Sequence, residues 1–565
     1  MKNSNILKEY VFKNKFFVIL IILSSIISTI LTLIAPVFVG DVIEKIVTLD
    51  IQSIIKMIII IACIYTSIFI FDSISVINSS KLSSKIGREI REKLFNKLHK
   101  IPISYIDKNS YGEIVNKFSF DVENICLAII QVASKIVVGV VTIIGAIIIM
   151  LKLNYIMAII TFFSAPVMYF ISRFIVNRTK KMFKARTELI SKINGYTGEV
   201  ISNNKTVKNF NYTKITENKF DKMNKELYED GMKAQFYSSL TNPCTRFVNN
   251  LTYIIIGIVG IILTKNGEAD LGIITSFLMY VNIFARPFNE ITGVMSELQT
   301  AISSSNKIKE FLESQEEENG IKKEIKKIKG NIDFINVEFS YNKGKKFIQN
   351  MNLSVKQGES IAIVGKTGAG KTSIVNLIMK FYDINKGKIL IDGINIDDIP
   401  KDILRKNIGI VLQDTKLFTG TIRENIAYGK KDATDEEIIN AAKISGADNF
   451  INRLPNGYDT LITEKTFISV GEIQLITIAR MFLIKPPILI LDEATSNIDI
   501  ITENRIQKSF LELMKGATTF IIAHHLSTIE SADRIIVIEN GNIIEEGKHE
   551  ELLRKKGKYY ELYES

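Results

Sequence analysis

Apolar residues gather in six long runs before residue 300, centred on about 17–38, 53–76, 127–150, 154–175, 246–264 and 271–289. Each is close to the roughly 20 residues that a bilayer-spanning helix needs. Proline falls inside the fourth run at Pro166 and the sixth at Pro287, which a membrane helix tolerates where neighbours satisfy the freed carbonyls. The connections near 39–52, 151–153 and 265–270 are short and poor in positive residues, whereas 77–126 and 176–245 are long, helix-patterned and lysine-rich. Positive charge concentrates on the cytoplasmic side, so the long pair and both termini are expected there. Six spans with two long cytoplasmic connections imply helices that run well beyond the bilayer before turning back.

From about residue 312 the pattern changes. ESQEEENGIKKEIKKIKGN is charged and has no apolar period, as in a solvated linker. IDFINVEFSY then alternates apolar and polar positions like an antiparallel strand. The expected division is a membrane domain over 1–312, a linker over 313–330 and a soluble domain over 331–565.

Composition agrees with two regions of opposite character: 47% of residues are hydrophobic while 23% are charged, and mean hydropathy is +0.18. The net charge of +11 is carried mostly by lysines flanking apolar runs. That arrangement suits a membrane protein and argues against a nucleic-acid surface. Cys63, Cys126 and Cys244 lie far apart without metal spacing; buried free thiols are expected, with no disulfide framework. The run from Phe16 to Phe38 is too long for a signal-peptide core and lacks a small-residue cleavage site, so it reads as a retained first span. Asp72, Lys135 and Arg286 are the ionisable candidates within the spans. Each either snorkels or pairs within the bundle, or contacts substrate, the last weighed more heavily for Lys135 and Arg286.

The densest chemistry is SIAIVGKTGAGKTSIV at 360–375. An apolar strand runs into Gly365-Lys366-Thr367-Gly368-Ala369-Gly370-Lys371-Thr372-Ser373, and a helical pattern follows. The glycines let backbone amides curl around phosphates, and the helix amino terminus adds its positive end. Lys371 supplies a point charge and Thr372 a hydroxyl for Mg²⁺. PPILILDEATSNID at 486–499 reads as a buried strand delivering Asp492 to its carboxyl end, with Glu493 next to it. Asp492 is expected to hold Mg²⁺ and Glu493 to polarise an attacking water.

With these motifs in place, residues 331–565 resemble the nucleotide-binding domain of ABC transporters, and the preceding 315 or so resemble the six-helix membrane domain of ABC exporters. The resemblance implies an all-α transmembrane half joined to an α/β P-loop ATPase half with a helical subdomain. It implies ATP and Mg²⁺ as cofactors. It also assigns further residues. Tyr341, in VEFSYN, resembles the aromatic that stacks on adenine. Gln413, in GIVLQDTKLF, matches the glutamine that touches Mg²⁺ and the attacking water. Ser469, Gly471 and Glu472, in ISVGEIQLITIAR, match the signature that meets the γ-phosphate bound by a second subunit. Asp499 closes a segment like the D-loop, and His524, in FIIAHHLSTI, matches the switch histidine. Gly112, Glu113 and Glu199 fall in segments similar to the cytoplasmic loops that dock on the ATPase.

The resemblance implies a working dimer that moves a hydrophobic or amphipathic substrate (drug, lipid or peptide) outward by alternating access, with lipid as its surroundings and no nucleic-acid partner. TEKTFIS departs from the glycine-rich stretch usual before the signature: it is one residue shorter, with Lys465 and Phe467 in place of small residues. A weakened signature beside a retained Glu493 and His524 resembles one half of a heterodimeric exporter, which is favoured over a homodimer. Uptake of a metal–siderophore complex, a non-pumping regulatory ABC protein, and a non-transporting ABC ATPase are the alternatives. The Ile-, Lys- and Asn-rich composition suggests an AT-rich bacterial genome, and the plasma membrane of a bacterium is the expected location, with the ATPase domain and both termini cytoplasmic.

Overall fold

The computed structural model describes residues 10, 13–131, 135–317, 319–320, 328–341, 347–412, 415–463, 466–492, 499–522 and 526–564. They form two compact units. One comprises Met1–His99 with Ser110–Ser314, the other Lys100–Asn109 with Gln315–Ser565.

The first unit is helical: α1 (Lys15–Val47), α2 (Ile51–Leu98), α3 (Val122–Gln131), α4 (Val137–Leu153), α5 (Tyr155–Ser202), α6 (Thr213–Ser239), α7 (Thr241–Lys265) and α8 (Leu271–Glu313). Isoleucine- and valine-rich runs favour strands in water, but hydrocarbon offers no partner for open backbone groups, so helices prevail. Side chains start three of them. Asp50 accepts from Ser53 N, Asn154 from Ile156 N and Met157 N, and Asp270 from Ile273 N. These caps fall at the short connections.

Among the described residues five helical stretches are long and apolar enough to cross a membrane. Within the run at 127–150, residues 132–134 lie outside the described residues; α3 precedes them, and α4, an apolar helix of 17 residues, about 26 Å long, follows. The long reach predicted for the connections is present, since α2 and α5 each have 48 residues.

The bundle core joins Leu33, Ala146, Met157, Ile256, Phe277 and Phe284. α1 and α8 approach closely at paired glycines, where a Cβ on Gly40 would lie 2.5 Å from Gly272 O. One turn away, Pro36 interrupts the α1 ladder; Ser276 donates to Pro36 O at 2.9 Å, and the Tyr280 hydroxyl donates to Leu33 O. Of the ionisable candidates, Asp72 accepts from Ser28 Oγ on α1 at 2.5 Å, while Lys135 and Arg286 are exposed. Cys126 is buried as expected, but Cys63 is exposed on α2.

The second unit is α/β. Its main sheet has the order β12 (Asn542–Gly547), β11 (Arg534–Glu539), β3 (Ser360–Val364), β10 (Thr518–Ile522), β9 (Ile488–Asp492), β6 (Ile408–Val411). All neighbours are parallel except β12, which pairs antiparallel with β11. A second, antiparallel sheet has β2 (Ile348–Val355), β1 (Ile332–Phe339), β4 (Lys386–Ile391) and β5 (Ile394–Asn395), and β7 (Gly420–Thr421) pairs with β8 (Leu461–Ile462). One core cluster packs β1 and β2 with α9 (Lys371–Ile378) against one face of the main sheet. The other gathers α11 (Val470–Ile484), α12 (Ile500–Met514) and the helices between β6 and β9.

The charged stretch after α8 is not wholly solvated. Glu317 is only 14% exposed, because Arg405 in α10 (Lys401–Lys406) grips both its carboxylate oxygens and Lys401 lies 3.8 Å away. Its amide donates to Lys100 O at 2.8 Å. Two cations at the foot of β6 recruit one acidic residue from the charged run.

Candidate nucleotide-binding site

β3 is buried along its whole length, and its last residue feeds a loop that only glycine permits. A Cβ on Gly365 would sit 2.4 Å from Ile538 O. Gly368 and Gly370 have φ of +83° and +116°, in the left-handed region that side chains disfavour. Ala369 N closes the turn onto Lys366 O at 3.0 Å, and Gly541 N donates to Ala369 O at 2.9 Å. α9 begins directly after Gly370, so its free amino-terminal amides face the loop interior.

The loop fits an anionic ligand. Lys371 is buried, and its ammonium donates to Gly365 O at 2.5 Å across the loop mouth. Burial pushes its pKa down while Asp492 pushes it back up. A desolvated cation held by a neutral carbonyl is poised to exchange it for a phosphate oxygen. Lys366, Thr367, Gly368 and Thr372 are exposed, and Ser373 is buried. Asp492 ends β9 in register with Ile522 of β10, which is in register with Ile363 of β3. The loop and the aspartate therefore share the carboxyl edge of one parallel sheet, the place where such sheets bind ligands. A cleft of about 940 Å³ beside Pro486, Pro487 and Gly516 lies at the strands' other ends, so size alone does not mark the site.

Tyr341 stands beside this loop. Its hydroxyl is 2.9 Å from Ser373 Oγ in the first turn of α9. Phe339, Tyr382 and Phe347 surround its ring edge-to-face, with centroids 4.7, 5.0 and 5.8 Å away, an arrangement ring quadrupoles favour. Of these, Tyr341 alone carries a sequence signal, its place in VEFSYN. The other three carry no pattern beyond apolar strand and helix-end positions.

The signature residues open α11 as predicted. Ser469 is its N-cap, accepting from Glu472 N at 3.3 Å, while Glu472 Oε2 accepts from Ser469 N and Oγ at 2.9 Å each. This reciprocal box explains why a glutamate serves here. Gly471 is buried. Upstream, Thr466 Oγ1 accepts from Thr463 N at 2.9 Å, Ile468 packs on the core, and Phe467 is wholly exposed. Asp499 is the N-cap of α12; hydrogen bonds from Thr502 hold its carboxyl below the usual range. In the helical unit, Glu113 lies in a short helix capped by Ser110 and pairs with Lys117, and Glu199 is exposed on α5. Gln413, Glu493 and His524 lie outside the described residues, as does Lys465.

A glycine loop between a buried strand and a helix, with an aspartate at the same sheet edge, defines a P-loop ATPase, here fused in one chain to a bundle of apolar helices. Residues 18–288 match the ABC transporter transmembrane region, and residues 348–496 match the ABC transporter family. The chain is 39% identical to the ABC transporter ATP-binding protein YfiC of Bacillus subtilis strain 168, over 99% of this chain and 93% of YfiC. It is 39% identical to the fatty acid ABC transporter ATP-binding/permease protein of Mycobacterium bovis, over 84% of this chain and 75% of that protein. Among solved structures it resembles a bacterial Atm1-family ABC exporter with ATP bound, at TM-score 0.80 and 26% identity, covering 98% of both chains. The chain belongs to the ABC transporter family, with the fused membrane and ATPase halves of its exporters. It is a multi-pass membrane protein whose ATPase is coupled to transport.

Proposed function

We propose that this chain is one half of a dimeric exporter that moves a hydrophobic or amphipathic substrate outward across a bacterial plasma membrane by alternating access. The observation that carries the reading is the loop around Lys371, whose glycines and buried ammonium suit a nucleotide triphosphate, in a chain fused to apolar helices. The relatives add direction: one is named for fatty acids, and a similar structure is an exporter.

In this reading the amides of Gly365–Ser373 and the Lys371 ammonium hold the β- and γ-phosphates, and Tyr341 stacks on the base. Thr372, Asp492 and Gln413 would hold Mg²⁺, which when bound neutralises phosphate charge. Glu493 orients the attacking water, Gln413 approaches it, and His524 contacts the γ-phosphate. Ser469, Gly471 and Glu472 offer the amino terminus of α11 to a nucleotide held by the second subunit, and Asp499 fixes the start of α12 beside it. The membrane domain spans 1–312, the linker 313–330 and the nucleotide-binding domain 331–565.

A heterodimer is the favoured assembly, because Phe467 and the short TEKTFIS stretch replace the small residues that let the loop approach a partner's nucleotide. Isolation of this chain alone as a dimer turning over ATP at a transporter-like rate would overturn that part. The transport reading is tested in inside-out vesicles carrying the co-expressed pair: Glu493→Gln should retain ATP binding and abolish ATP-driven uptake of lipophilic or acyl probes. Transport that persists in this variant contradicts the proposal.

A further inference from the structure

Two stretches of the helical half lack acidic residues altogether. Residues 155–187 and 231–267 contain no aspartate or glutamate, while Arg173 to Arg186 holds six lysines or arginines. The two stretches meet at a cleft of about 930 Å³ between α5 and the α6–α7 corner. Phe170, Arg173, Phe174 and Arg178 line one wall, and Tyr237 and Leu240 the other. Arg173 donates to the Tyr169 hydroxyl at 2.8 Å, and the Arg178 guanidinium lies 5.6 Å from the Phe174 ring. Both cations thus rest on aromatic neighbours of their own helix, without a carboxylate partner among the described residues. On α2 the cations are answered by acids: Arg88 pairs with Glu92, and Arg91 lies 3.9 Å from Glu123.

The cleft lies at a definite depth. α5 starts at Tyr155 and α7 ends at Lys265, each beside a short connection. At about 1.5 Å per residue, Arg173 and Arg178 lie about 27 and 35 Å along α5 from that end. Cys244, which also lines the cleft, lies about 32 Å back along α7. A hydrocarbon core is about 30 Å thick, so both helices bring the cleft to one membrane boundary. We propose that it binds an anionic phospholipid of the inner leaflet, Arg173 and Arg178 holding the headgroup phosphate while Phe170, Phe174 and Tyr237 cover the start of the acyl chains. The choice of leaflet rests on the reading of the short connections as external. A guanidinium offers a planar fork that matches phosphate oxygens. Basic clusters just cytoplasmic of a span attract anionic lipid, and aromatic rings favour the boundary. The bias of positive charge toward the cytoplasm explains cations anywhere on that side. It does not place two guanidiniums, unpaired with any described carboxylate, inside one aromatic-lined cleft. A zwitterionic lipid brings its own cation beside the phosphate, so the cleft selects headgroups without one.

The test uses the full chain, with its co-expressed partner where it needs one, in phosphatidylcholine nanodiscs holding a small fraction of photoreactive lipid. Diazirine-bearing phosphatidylglycerol should label peptides over 170–182 and 237–244 about fivefold more than diazirine-bearing phosphatidylcholine does. Arg173→Gln and Arg178→Gln should each cut that preference by about threefold, and together bring it close to parity. Arg178→Lys should keep part of it, since the charge remains without the fork. Lys181 is an exposed cation outside the cleft, and Lys181→Gln should change the preference by less than about twofold. Equal labelling by the two lipids overturns the proposal. So does a Lys181→Gln effect as large as that of Arg178→Gln, which would mean diffuse attraction to the basic stretch. Absence of label from both peptides overturns it too, as a partner subunit covering the cleft would produce. Labelling needs no ATP turnover, so its outcome is independent of the transport reading. Orientation is checked apart: trypsin should cut within α6 in inside-out vesicles only, and the reverse pattern overturns the choice of leaflet.

Discussion

Arg405 holds Glu317 with both terminal guanidinium nitrogens, each 2.9 Å from a carboxylate oxygen. The same guanidinium lies over the Phe381 ring at 5.2 Å and reaches Met379 O at 3.4 Å. One side chain thus ties the residues after α8 to the end of the P-loop helix and, through α10, to β6. Glu317→Ala leaves Arg405 and the buried Lys401 without their shared anion. We expect a loss of about 1–3 kcal/mol in the ATPase unit. Its melting transition should fall by about 2–4 °C per kcal/mol. Arg405→Lys should cost nearly as much, since an ammonium cannot make the paired contact; equal melting temperatures for all three proteins would contradict this.

Gly365 and Lys371 act at the same loop by different physics. A Cβ on Gly365 meets backbone, Ile538 O, at 2.4 Å, which cannot retreat like a side chain. Gly365→Ala should therefore distort the loop and abolish ATP binding, at about 1–3 kcal/mol in stability. Lys371→Met keeps the fold and removes the charge; ATP turnover should fall by about 10²–10³. A nucleotide-binding titration beside an unfolding curve separates the two effects.

Glu472 is bonded to Ser469 through both its amide and its hydroxyl. Glutamine also completes a capping box, so Glu472→Gln should shift stability by less than about 0.5 kcal/mol. It removes a negative charge from a helix start where, in the proposed dimer, a γ-phosphate arrives. We expect the half-saturating ATP concentration to drop by about two- to tenfold. A rise instead, at unchanged stability, would show that the carboxylate helps rather than hinders closure.

Asp392 supplies a pH-dependent prediction. Burial raises its pKa, but amide donors from Lys329, Asn331 and Gly330 and the Asn331 side chain outweigh burial and hold it below the usual carboxylate range. A carboxyl whose folded pKa is depressed stabilises the fold above its unfolded pKa and loses that contribution as pH falls through the folded value. The stability difference between the unmodified protein and Asp392→Asn should hold constant near neutrality and shrink below about pH 4. Denaturant unfolding at several pH values measures it; a difference that grows on acidification refutes the assignment.

Much of the fold was legible because its signals are local. The Gly365–Thr372 loop and the β9 run to Asp492 are written in consecutive residues, and the apolar runs of the membrane half need no partner to be seen. The reach of α2 and α5 followed from lysine-rich helical patterns between spans. Glu317 was misread as part of a solvated stretch because its partners lie 84 and 88 residues away, and an acidic residue in a charged run carries no mark of being chosen. Cys63 was expected inside because apolar neighbours bury a thiol in water, whereas a membrane helix keeps apolar residues on its outward face as well. Tyr341 was found by resemblance, but the rings of Phe339, Phe347 and Tyr382 that fix it come from three strand and helix ends that no spacing rule brings together.

The 48 residues of α2 run without proline from Ile51 to Leu98, a rod of about 72 Å. A helix of that length has the reach of a lever arm. A swing of about 5° about one end displaces the other by about 6 Å, roughly one helical turn. The chain leaves this lever and enters Lys100–Asn109 two residues later, so an angular adjustment too small to disturb packing near the pivot becomes, at the far tip, a stroke as long as a side chain.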